Sequence, residues 1–98
     1  MILKDNLIRS TIQKNISMAV PLYLMMAYSY YKLDDPIASD ACFDETAKVI
    51  LVNWDKIEHR HKKHLNKESL LAGTYLGVYP TIVEGAVQSF RKIGPLGI

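Results

Sequence analysis

Ser29-Tyr30-Tyr31-Lys32-Leu33-Asp34-Asp35-Pro36-Ile37-Ala38-Ser39-Asp40-Ala41-Cys42-Phe43-Asp44 holds the end of one helix, a turn and the start of the next. Proline pushes its predecessor out of the α region, so a helix from about Ala19 to Leu33 stops at Asp34-Asp35-Pro36. Ser39 or Asp40 then caps a new helix by accepting from a free backbone N–H. The two helices form a hairpin. One arm carries Tyr30 and Tyr31 at its end; on the other, Asp40, Phe43 and Asp44 fall at i, i+3 and i+4 and share a face. Tyr23 shares the face of Tyr30, one heptad earlier.

Outward from the hairpin the pattern stays helical. Ile2, Leu3, Leu7, Ile8 and Ile12 mark a short helix within residues 1–15, frayed at its start. Ser17 is a candidate cap for the Ala19 helix, and Pro21 suits its first turn. In the helix after Ser39, the stripe Phe43, Ala47, Ile50, Leu51, Trp54 and Ile57 predicts continuation to about His61. Asn66 caps a short helix through Leu71 or Ala72, closed by Gly73 or Gly77. Pro80 or Thr81 opens a last helix ending near Lys92, and Gly94-Pro95 stops it. The expectation is an all-α, small single-domain bundle of four to five helices covering residues 1–98 and built around the hairpin.

Composition narrows the function classes. A chain of 98 residues, 49% hydrophobic and 22% charged, has ordinary globular composition. Its small core makes a homo-oligomer an inexpensive source of further stability. A net charge of +2 is too small for a strongly basic nucleic-acid binder. The single cysteine, Cys42, rules out an internal disulfide and makes a cytoplasmic location the default. The uncharged run from Asn15 to Tyr31 is short for a spanning helix and contains Pro21, so it reads as a core helix rather than a membrane segment.

The hairpin also resembles, over about residues 28–51, the N-terminal helical subdomain of NAD-dependent DNA ligases. There Tyr-Tyr or Tyr-His, then x-x-Asp-x-Pro-x-x-x-Asp-x-x-Tyr-Asp, grips the nicotinamide mononucleotide half of NAD. Tyr30, Tyr31, Asp34, Pro36, Asp40 and Asp44 match that pattern, whereas Phe43 stands where the family has tyrosine. The resemblance implies that Tyr30, Tyr31 and Phe43 stack on a nicotinamide ring and that Asp40 and Asp44 accept hydrogen bonds, with Tyr23 at the rim. A flat ring, cationic when oxidised, suits aromatic faces and carboxylates. No Lys-x-Asp-Gly occurs, so the chain lacks the nucleophilic lysine of the ligases. The expectation is a non-enzymatic protein, requiring no cofactor, that resembles a detached binding lobe of the sort carried by small phage-encoded proteins. Its ligand would be nicotinamide mononucleotide or an NAD-derived nucleotide, sequestered or used to modulate a host enzyme.

Other segments carry competing readings. Residues 69–88 resemble a DNA-binding helix-turn-helix presenting Tyr79, Thr81, Glu84, Gln88 and Arg91, although Glu84 and Gly85 occupy the face that should meet DNA and only Arg91 and Lys92 follow to bind phosphate. The tyrosines also suit an interface with a host or phage protein, in which case the chain is an interaction module or inhibitor. His59, Arg60, His61, Lys62, Lys63, His64 and Lys67 read as the solvated basic end of a helix. Zinc is disfavoured there by the adjacent cations; a phosphate site there would complement an aromatic pocket.

Overall fold

The computed structural model describes residues 4–73, 75 and 77–93, with residues 91–93 by backbone alone. Helices α1 (Asp5–Lys14), α2 (Ala19–Tyr31), α3 (Asp40–Val52), α4 (Lys67–Ala72) and α5 (Thr81–Ile93) follow in order, with 3₁₀ turns at Ile16–Met18 and Lys62–His64. The described residues contain no strand, and the fold class is all-α. Ile2, Leu3, Thr74, Leu76, the Gly94-Pro95 stop and the side chains of Arg91 and Lys92 lie outside the described residues.

Helix α2 is the axis of the molecule. It is apolar all round, as a helix surrounded by others must be, and packs against α3 on one side and α5 on another. Val20, Leu22, Tyr23, Leu24 and Ala27 are wholly buried. Each buried leucine contributes roughly 1.5–3 kcal/mol relative to an exposed one. Tyr23 stacks flat on Phe43 of α3, with ring centroids 4.6 Å apart and planes 7° from parallel. From α5, Val83, Val87 and Phe90 close the core.

The turn between α2 and α3 is built from backbone bonds. Asp34 takes a left-handed φ of 50°, which aspartate tolerates better than most residues. The N–H groups of Leu33 and Asp35 donate back to the carbonyls of Tyr28 and Ser29. Buried Ser29 Oγ donates to Met26 O and accepts from Ile37 N, so the turn is fastened to the helix it leaves. Ser39 caps α3 by accepting from Cys42 N, as its position predicts. The Asp5 carboxylate in turn accepts from Ser39 N at 2.8 Å and Ser39 Oγ at 2.5 Å. Together with Lys4 N donating to Ile37 O, these bonds dock α1 on the turn, and Ile8 is fully buried.

Two local expectations need correction. Ser17 does not cap α2; the Asn15 side chain caps the 3₁₀ turn ahead of it, and Ser17 Oγ accepts from Glu58 N. Helix α3 ends at Val52 rather than near His61. Asn53 is the cause: its backbone N and its Nδ2 both donate to Val49 O, the local competition by which asparagine ends helices. Ile57 is still buried, but it reaches the core from a turn. Farther on, Asn66 caps α4 through Ser69 N, and Gly73 ends it at a left-handed φ of 68°.

Candidate functional site

The end of α2, the Pro36–Ala38 turn, the first turns of α3 and Gly73 after α4 enclose a cleft of about 220 Å³. Tyr30, Tyr31, Asp40, Phe43 and Asp44 all line it. Tyr23 does not: it is fully buried beneath Phe43 and belongs to the core, not the rim. Its hydroxyl is pushed far above the ordinary tyrosine range by burial first, then by Tyr31 and Asp44.

The side chains are placed by simple means. Tyr30 and Tyr31 are consecutive in the last turn of α2, so they diverge by about 100° and meet edge to face, with centroids 5.0 Å apart. They remain 48% and 40% exposed, which leaves ring surface for a ligand. Partial burial, followed by Tyr30 and Asp44, raises the Tyr31 pKa and keeps that hydroxyl a donor. Asp40 occupies the first turn of α3, where the helix dipole favours a carboxylate. Asp44 lies one turn on, on the same side. Opposite it, a Cβ built on Gly73 would fall 3.0 Å from Asp44 Oδ1, so a side chain there would crowd the carboxylate.

Both formal charges among the lining residues are negative, and no Lys or Arg is there to meet a phosphate. The cleft therefore suits a group that is flat, donating and cationic. Met26, Ala38 and Gly73 are lining residues that sequence reasoning missed; the approach of Gly73 to Asp44 depends on how α4 packs on α3.

The basic cluster is elsewhere and is not a helix end. Lys62 Nζ donates to Trp54 O at 2.6 Å and sits 4.7 Å from the Trp54 ring centroid, while Lys67 is 5.9 Å from that ring. The His59 ring is 5.2 Å from that of His61, which is 5.9 Å from that of His64. His59, Arg60 and His61 line a separate groove that shares no residue with the tyrosine–aspartate cleft. Among the described residues, no group of three or more His, Cys, Asp or Glu is arranged to hold a metal ion.

The segment read as a helix-turn-helix includes the end of α4 and the start of α5. Helix α4 ends at Ala72 and α5 begins at Thr81, whereas that motif joins its helices by a turn of about 3–4 residues. Tyr79 packs edge-on against Tyr28 and Tyr75 instead of facing outward. Glu84 accepts from the Tyr28 hydroxyl at 2.9 Å. No helix among the described residues is long and apolar enough to cross a membrane. Comparison with protein-family models, curated proteins and solved structures finds no match to this chain.

Proposed function

We propose that this chain is a non-catalytic binding protein whose tyrosine–aspartate cleft takes the nicotinamide–ribose part of nicotinamide mononucleotide or a related NAD-derived ligand. The observation that carries the proposal is convergence: Tyr30, Tyr31, Asp40, Phe43 and Asp44 line one cleft. Tyr30 and Tyr31 offer ring surface to a cationic pyridinium, and the two carboxylates accept from ribose hydroxyls or the carboxamide. At about 220 Å³ the cleft is smaller than the pockets that enclose whole drug-sized ligands. With no cation among its lining residues, the phosphate would stay in solvent.

A thermal-shift panel tests this. A ligand at one hundred times its dissociation constant adds about 2.7 kcal/mol. Nicotinamide mononucleotide and NAD are expected to raise the melting temperature, ADP-ribose to leave it unchanged, and Tyr30→Ala to abolish the response. An equal response to ADP-ribose, or silence throughout, would refute the assignment.

The exposure of Tyr30 and Tyr31, with Leu71 and Val52 at 77% and 83%, supports a second reading as an interaction module for a host or phage protein. Under that reading one stoichiometric partner is captured by the wild type and lost with Tyr30→Ala.

A further inference from the structure

On another side of α2, Leu22 and Met25 face Ile82 and Phe90 of α5 across an open groove of about 260 Å³. Its walls are hydrocarbon. Its polar lining comes from one short segment, His59-Arg60-His61. A concave apolar site with a few convergent polar groups is the usual form of a small-molecule pocket. An apolar cavity of about 150 Å³ holds a benzene ring. In proportion, this groove accommodates an apolar body of roughly ten carbons.

The polar end has a definite chemistry. His61 N donates to His59 Nδ1 at 3.1 Å, so neutral His59 carries its proton on Nε2 and is a donor there. His61 Nε2 is buried and has no hydrogen-bond partner among the described residues. Such an atom is rare in a folded chain, because leaving a buried polar group unmatched is costly. Arg60 adds a permanent positive charge and no acceptor. Burial, with Arg60 close by, pushes both imidazoles below their ordinary value. Near neutral pH Arg60 therefore supplies the formal charge among these groups.

The geometry points to a binding site for a medium-chain aliphatic monocarboxylate, its tail lying between α2 and α5 and its carboxylate at His59, Arg60 and His61. Charge complementarity selects this occupant: the polar end offers a cation and imidazole donors, and no acidic residue lines the groove. The site is independent of the tyrosine–aspartate cleft and of the ligand proposed there.

Calorimetric titration of the full chain with octanoate and decanoate, against octanol and octylamine, tests the proposal. Saturable binding is expected for both carboxylates, at least tenfold tighter than for the alcohol, with none for the amine. Arg60→Gln is expected to weaken decanoate at least tenfold. Ile82→Glu, at a position 55% exposed, is expected to abolish uptake while leaving the melting temperature in place. Should that variant fail to fold, Arg60→Gln decides alone. Equal binding of octanol, indifference to Arg60→Gln, or absence of saturable uptake would overturn the proposal. So would self-association of the chain that Ile82→Glu removes, which would make the groove an interface between copies.

Discussion

The tyrosine–aspartate cleft and the α2–α5 groove share a helix and almost nothing else. The first is small, polar and lined by carboxylates; the second is apolar and ends at Arg60 with two imidazoles. Met26 lines one and Met25 the other. Neighbours on a helix point about 100° apart, so a helix apolar on every side can wall two cavities of opposite polarity. What distinguishes them is what the surrounding segments bring: the turn and α3 supply acid, the loop after α3 supplies base.

The largest effect expected is on the wall behind the cleft. Tyr23→Ala removes a fully buried ring and its stacking on Phe43, at a cost of roughly 3–5 kcal/mol. Tyr30→Ala, on the exposed rim, is expected to stay within about 0.5 kcal/mol of wild type. Urea denaturation measures both, and similar costs for the two would break the distinction between floor and rim.

Gly73→Ala comes next. At a left-handed φ of 68°, and with its new Cβ 3.0 Å from Asp44 Oδ1, it is expected to destabilise by about 1–2 kcal/mol. It should also weaken ligand binding in the cleft while leaving decanoate uptake in the groove unchanged. Loss at both sites would show that α4 supports the whole fold rather than the cleft alone.

The smallest effect separates the two sites by pH. The pKa values of His59 and His61 are lowered by burial from the ordinary 6.5, so the unfolded chain takes up their protons first. Their contribution to stability is complete above 6.5 and is lost as pH falls below it. Arg60, Lys63 and His64 add to the repulsion as these groups charge. A modest fall in melting temperature between pH 7 and pH 5, flattened by His59→Gln with His61→Gln, is the expected result. A fall of the same size in that double variant would place the titrating groups elsewhere.

At Ser39, Asn66 and Gly73 sequence and structure agree. Ser39 and Asn66 cap helices because a short side-chain oxygen reaches a free N–H three residues on. Gly73 ends α4 because it accepts a left-handed backbone. The grouping of Tyr30, Tyr31, Asp40, Phe43 and Asp44 was legible because the hairpin brings its two arms together without help from the rest of the chain. Legibility stopped where a local bond overrode the apolar pattern and where long-range packing decides. The apolar stripe through Trp54 and Ile57 continues in number past the end of α3, yet Asn53 has already turned the backbone. Tyr23 lay on the face of Tyr30 by periodicity, but α2 is buried on most sides until its last turn and periodicity cannot say which ring stays outside. The groove was invisible because it needs α5 to lie along α2, with residues 59–61 of the loop after α3 folded against it.

One measurement tests the central assignment most directly: calorimetric titration of nicotinamide mononucleotide into the wild type, Asp44→Asn and Arg60→Gln. Removing a charge-assisted hydrogen bond costs about 1.5–3 kcal/mol, so Asp44→Asn is expected to weaken binding tenfold or more and Arg60→Gln to leave it unchanged. Undiminished binding by Asp44→Asn, or binding lost with Arg60→Gln instead, would contradict the assignment of the nucleotide to the tyrosine–aspartate cleft.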